Sequence, residues 1–397
     1  MDERKNPYAP GAGTPPPELA GRGPLIERTA VSLDRIRARR SARSFIFYGL
    51  RGVGKTVLLN KVRQNAEARG IACVQIEVPE DRSLPALLAP SLRAALIKLS
   101  NGGAIRAGLE KSLVALAGFA GAMKVKYQDL EFAMDFKPKR GLADSGDLET
   151  DLADLLGNIG EAAVERGTAV VLFMDELQYV KEEQLAALIT ALHRTSQNQL
   201  PVTMVAAGLP QLVGQTGRAK SYAERLFEFV RIDSLDDHAA RAALCVPAEK
   251  EGAKYDERAI AAILEQTKGY PYFLQEWGKH SWNIADKSPI ELADAKGASA
   301  AALAELDNSF FRVRFDRLTP AEKRYMRAMA ELGPGPHRSG DIAYLLDKKV
   351  TAVAPMRNIL ISKGMIYSPS HGDTAFTVPL FDGFMKRIMP KLDKGKS

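Results

Sequence analysis

The sequence predicts an α/β protein: a doubly wound parallel sheet, a helical segment after it, and a small C-terminal module of helices closed by a hairpin. Three observations predict this. Apolar runs without alternation, such as Ser44 to Tyr48 and Val170 to Met174, read as strands buried on both faces. Helical spacing separates one such run from the next, the rhythm of a parallel sheet. Between the first strand and the helix opening at Val57 lies Gly49-Leu50-Arg51-Gly52-Val53-Gly54-Lys55-Thr56, which fits the phosphate-cradling pattern G-x-x-x-x-G-K-[ST].

At 397 residues the chain is long for one domain, and its 46% hydrophobic content suffices for more than one core. The net charge of +7 is uneven. Lys and Arg outnumber Asp and Glu from Glu305 onward, and a second basic cluster, Asp34 to Arg43, precedes the first strand. A positive terminal segment points to an acidic partner. The two cysteines, Cys73 and Cys245, sit far apart in apolar runs and read as small core residues in a reducing compartment. The five histidines show no ligand spacing. No apolar run reaches the roughly 18 residues of a membrane span, and no signal-peptide core is present, so a cytoplasmic protein without a membrane partner is expected.

Taken in order, Asn6 to Arg22 is rich in proline and glycine, and composition alone predicts a loose leader. In the phosphate loop, glycines at 49, 52 and 54 let the backbone curl so that N–H groups face phosphate oxygens. The following helix N-terminus adds its partial charge. Lys55 is placed to reach the β- and γ-phosphates, and the Thr56 hydroxyl to ligate Mg²⁺. The strand in "TAVVLFMDELQYV" ends in Asp175-Glu176. Asp175 would hold Mg²⁺ through water, and Glu176 would orient and deprotonate the attacking water. Ile71 to Pro79, Pro201 to Leu209 and Phe227 to Asp233 complete the sheet.

The long interval before the acidic strand exceeds a simple crossover. It holds two amphipathic helical patterns and "KVKYQDLEFAMDF", which alternates like a hairpin, so an insertion is expected at about 83–145. It either touches DNA or a partner, or forms a passive extra layer. Farther on, "TKGYPYFLQEWGKH" puts Gly269-Tyr270-Pro271 at a helix start. From Thr319 come a capped helix, two further helices and a strand–turn–strand, the order of a winged helix-turn-helix. Its third helix is the candidate reader of a major groove, with Lys348, Lys349, Thr351, Arg357 and Asn358 for phosphates or bases and His371 on the wing tip. Winged helices also bind proteins, so the module alone does not choose.

On "GLRGVGKT", "FMDELQ", "GYPYFLQ" and the C-terminal pattern, the chain resembles AAA+ ATPases of the Orc1/Cdc6-like group and the STAND-like bacterial ATPases near it. The resemblance implies a P-loop AAA+ core over 1–234, a helical lid over 235–304 and a winged-helix domain over 305–397. It implies ATP or ADP with Mg²⁺ as ligands. "ELAGRGPLIE" then places Gly21 and Arg22 beside the adenine, and Tyr270 and Pro271 match the lid element that meets the nucleotide in STAND proteins. Two departures stand out. No arginine occupies the sensor-2 position, and Ala207 and Gly208 stand where a polar sensor-1 residue is expected. Hydrolysis is then slow, or a neighbouring subunit completes the site. Arg225, or alternatively Arg218, falls where the family carries an arginine finger, which implies a homo-oligomer. The function implied is a slowly hydrolysing AAA+ switch that binds DNA through the winged helix. The alternative is a STAND-like regulatory ATPase whose winged helix grips a protein partner.

Overall fold

The computed structural model describes residues 1–11, 13–100, 107–125, 141–370 and 372–392. Most of the expected hairpin after Val125, and His371, lie outside them. The chain divides into two units: Arg22–Gly49 with Lys55–Ile232, and Met1–Gly21 with Leu50–Gly54 and Asp233–Ser397.

The first unit carries α1 (Gly23–Arg37), β1 (Ser44–Tyr48), α2 (Lys55–Ala68), β2 (Ala72–Glu77), α3 (Leu84–Ser100), α4 (Ala107–Ala122), α5 (Leu148–Glu165), β3 (Val170–Asp175), α6 (Glu182–Gln197), β4 (Val202–Gly208), α7 (Gln211–Ala219), α8 (Ala223–Leu226) and β5 (Phe227–Arg231). Its five strands are parallel in the order β2-β3-β4-β1-β5. Every residue of β3 and β4 is buried, which is why these strands read as unbroken apolar runs. The register pairs Tyr48 with Gly208 and Glu77 with Asp175, so the carboxyl ends of β1, β4 and β3 finish side by side. Ligands of open parallel sheets bind outside such ends.

The described insertion helices form an extra layer. Leu113, Leu116 and Phe119 of α4 are buried in one core with Leu152, Leu155 and Leu156 of α5. Ala107, Glu110, Lys111 and Gly121 of α4 stay exposed at helical spacing, opposite that core, as its amphipathic reading expected.

The second unit carries α9 (Asp237–Lys250), α10 (Glu257–Thr267), α11 (Pro271–Ile284), α12 (Leu292–Asn308), α13 (Phe310–Asp316), α14 (Pro320–Glu331), β6 (His337–Arg338), α15 (Ser339–Leu345), α16 (Val350–Ser362), β7 (Ile366–Tyr367), β8 (Asp373–Phe376) and α17 (Phe381–Ile388). Thr319 and Glu322 close a reciprocal capping box at the start of α14. The small strands form an antiparallel sheet in the order β6-β8-β7.

The N-terminal segment departs from its compositional reading, because it is docked. Tyr8 is 4% exposed and its hydroxyl donates to the Leu244 carbonyl. Asn6 Nδ2 donates to the Lys279 carbonyl at 3.0 Å, and Trp282 Nε1 donates to the Asp2 carbonyl at 2.9 Å. A Cβ at Gly278 would lie 2.6 Å from the Tyr8 ring, so only glycine admits it. Met1–Gly21 therefore falls in the same unit as the helices after Asp233.

Candidate nucleotide site

The chain leaves β1 at Gly49, whose N–H donates to the Gly208 carbonyl at 3.2 Å. Gly52 and Gly54 take φ of +86° and +90°, values that side chains rarely tolerate. Lys55 opens α2 at 7% exposure, and its Nζ donates to the Gly49 carbonyl at 3.0 Å. Thr56 Oγ1 donates to Asp175 Oδ2 at 2.6 Å. The other carboxylate oxygen accepts the Glu176 N–H at 2.8 Å. Burial raises the Asp175 pKa, with the Thr56 hydrogen bond opposing. A hydroxyl and one carboxylate are the sparse, hard oxygen set that Mg²⁺ uses when phosphate and water supply the rest.

Glu176 has φ +53°, a left-handed step immediately after the strand. Gln178 Nε2 donates to Glu176 Oε2, and Gln178 Oε1 accepts the Leu209 N–H at 3.0 Å. Sequence reasoning missed Gln178; its only signal was its place two residues after the acidic pair.

The loop tip, Leu50–Gly54, packs within the second unit. The Tyr270 hydroxyl donates to the Arg51 carbonyl, and the Tyr272 N–H donates to the Gly52 carbonyl at 3.2 Å. The Arg51 N–H donates to the Thr377 carbonyl at 3.2 Å. Tyr270 is buried, so its hydroxyl serves the loop backbone, and Pro271 starts α11 beside it. The Tyr272 ring stacks on Phe310 at 4.6 Å, and the Arg314 guanidinium lies 3.9 Å from the Phe310 ring centre. Burial lowers that guanidinium to about 10. Tyr272, Arg314 and Thr377 were also not foreseen, because each depends on a fold contact distant in sequence. Gly21 has φ +71°, and a Cβ there would come 2.9 Å from that of Ala239. Arg22 is the N-cap residue of α1.

Arg225 is exposed and makes no ion pair among the described residues, whereas Arg218 pairs with Glu182 at 3.2 Å. In the C-terminal module, Lys348, Lys349, Thr351 and Asn358 are exposed. Arg357 is engaged: its Nε donates to Thr374 Oγ1 at 2.9 Å, and Nη2 donates to Ser368 Oγ at 2.8 Å and the Asp373 carbonyl at 3.0 Å. It braces the β7–β8 hairpin. Tyr344, Val350 and Ile359 are exposed at 83%, 49% and 45%. Cys73 and Cys245 are free and half-buried, not core, and burial pushes their thiols up to about 12 and about 11. Among the described residues no cluster of three or more His, Cys, Asp or Glu side chains could hold a metal, and no helix is long and apolar enough to cross a membrane.

Residues 18–205 match the family model described as the AAA ATPase domain. The matched stretch takes in the phosphate loop, Asp175 and Glu176. Residues 308–385 match a domain of unknown function (DUF8462). No curated protein matches significantly. The Walker-type ATPase of Pyrococcus abyssi is similar with a TM-score of 0.55 and 16% identity, covering 94% of this chain and 97% of that one, and shares the fold. The Orc1 protein of Aeropyrum pernix, in complex with DNA, matches at TM-score 0.44 and 15% identity over 94% of each chain. The RuvB Holliday junction branch migration motor of Thermotoga maritima matches at 0.45 and 13%, over 90% of this chain and 92% of that one.

Proposed function

We propose that this chain is an ATP-binding, slowly hydrolysing molecular switch whose C-terminal module is its output. The observation that carries the reading is the 2.6 Å hydrogen bond between Thr56 and Asp175, which joins the phosphate loop to the acidic strand where a metal would sit. Loop amides and Lys55 bind the phosphates; Thr56, and Asp175 through water, would hold Mg²⁺, which when bound would offset phosphate charge. Glu176 takes the proton of the attacking water. Gly21 and Arg22 flank the adenine, while Tyr270 and Pro271 set the loop tip from the lid. Ala207 and Gly208 offer no polar side chain beside the reacting phosphate, which keeps turnover slow. Arg225 acts on a neighbouring subunit's nucleotide.

The output module is a winged helix that grips DNA through Lys348, Lys349, Thr351 and Asn358. Arg357 leaves the base-reading set because its donors brace the hairpin. The Arg51–Thr377 hydrogen bond supports a link between loop and module. The test is DNA retention with and without ATP over a salt series. Contacts to Z phosphates give a log–log slope near −0.9Z. A second reading, a protein partner at this module, is favoured by the exposed Tyr344, Val350 and Ile359, since apolar side chains neutralise no phosphate. Absence of DNA retention at low salt in both nucleotide states would select it.

A further inference from the structure

The carboxyl end of β4 reaches the site with Ala207 and Gly208, so any polar group there must come from elsewhere. Gln178 supplies it. The side chain is buried, and its amide bridges two places: Oε1 accepts the Leu209 N–H at 3.0 Å, and Nε2 donates to the Glu176 carboxylate. The orientation is fixed by chemistry. A backbone N–H can only donate, so the oxygen faces Leu209 and the NH₂ faces Glu176. The Gln178 carbonyl accepts from Gln215 Nε2 of α7 at 3.2 Å, anchoring the residue at its backbone too.

Gly208 completes the picture. Its φ is not among the positive values, so its backbone does not demand glycine. Space does. A Cβ there would lie 2.7 Å from Gln178 Oε1 and 2.8 Å from Leu212 Cδ2. A glycine inside a strand marks a close approach, and here the buried amide approaches.

We propose that Gln178 is the positioning residue for Glu176, holding its carboxylate by an amide moored to the end of β4, and that Gly208 lacks a side chain to admit that amide. This rests on Glu176 being the general base. A hydrogen bond donated to a carboxylate fixes its rotamer. Gln178 therefore keeps the base aimed.

The test uses the full chain with Gln178→Ala and Gly208→Ala. In both, ATP affinity by titration calorimetry should stay within about twofold, because neither residue belongs to the phosphate loop. The turnover number should fall roughly ten- to a hundredfold, as for a misplaced reacting group. The loss should fall on kcat, with KM for ATP within about twofold, the split expected when only the reacting group is misplaced. Gln178→Glu, which keeps the length but replaces the donor with an acceptor facing Glu176, should lose kcat at least as far. In nucleotide-free protein, amide exchange at Leu209 should quicken in Gln178→Ala, a readout that survives if catalysis is lost altogether. A merely structural role would lower the fraction of sites that bind ATP in the calorimeter and leave kcat per site unchanged.

A Gln178→Ala enzyme with the wild-type kcat per site, or a higher one, overturns the positioning role alone. Wild-type protein that hydrolyses no ATP, or Glu176→Gln that turns over like wild type, overturns the functional reading itself. Should Gln178→Ala fail to fold, Gly208→Ala decides by the same split of kcat and KM.

Discussion

Burial opposes ionisation of Asp175, and that opposition has a measurable sign. Its folded-state pKa lies above the unfolded value, so its contribution to stability is complete below the unfolded pKa and is lost as pH rises through the folded one. Above the folded pKa the charge works against the fold of the nucleotide-free protein. Asp175→Asn should raise the Tm at pH 7, with the gain narrowing as pH falls into the carboxylate range; thermal melts at both ends check it. The same variant should lose Mg²⁺-dependent ATP binding. Lys55→Ala should abolish tight ATP binding, and unchanged affinity by titration calorimetry would sink the site. Glu176→Gln should bind ATP and fail to release phosphate, because an amide cannot act as base. Lys55, Thr56, Asp175 and Glu176 were legible because their chemistry is written in short runs. Gln178 was not, since its meaning depends on Leu209, 31 positions away and a neighbour only once β3 and β4 pair.

At the scale of elements, α16 separates residues that the sequence grouped together. Lys348→Ala with Lys349→Ala should lower the salt slope of DNA binding by about 2 if both meet phosphates. Arg357→Ala should act otherwise. It frees the hairpin from three hydrogen bonds and costs the fold about 1–3 kcal/mol, read as a lower Tm without a comparable slope change. The strands were readable because full burial leaves an unbroken apolar signature. The N-terminal segment was not, because proline and glycine content describes the isolated chain, whereas docking depends on Tyr8 meeting the vacancy at Gly278. Tyr8→Ala should cost about 3 kcal/mol or release the segment, and protease sensitivity before Thr14 would report the release.

For the molecule as a whole, the sheet and its order of helices followed from sequence, while the grouping of segments did not. Residues 1–21 and 50–54 join the part after Asp233, a consequence of tyrosine, glycine and backbone contacts that no local pattern encodes. The exposed Arg225 makes assembly testable. If it completes a neighbour's site, specific ATPase activity should climb with protein concentration, and Arg225→Ala should flatten the climb while leaving ATP affinity intact. A concentration-independent rate in both proteins would mean a monomeric switch.

Gly208 and Gln178 also bind each other's history. A lineage that acquires a side chain at 208 evicts the amide, and one that shortens 178 leaves a hole beside the carboxylate that nothing at 208 can fill. The two positions can be exchanged only as a pair. Descendants of a common ancestor should therefore sort into two camps, glycine at 208 with a long amide at 178, or a polar side chain at 208 with some other residue at 178. Mixed genotypes should be scarce, and an alignment deep enough to count them would decide the matter.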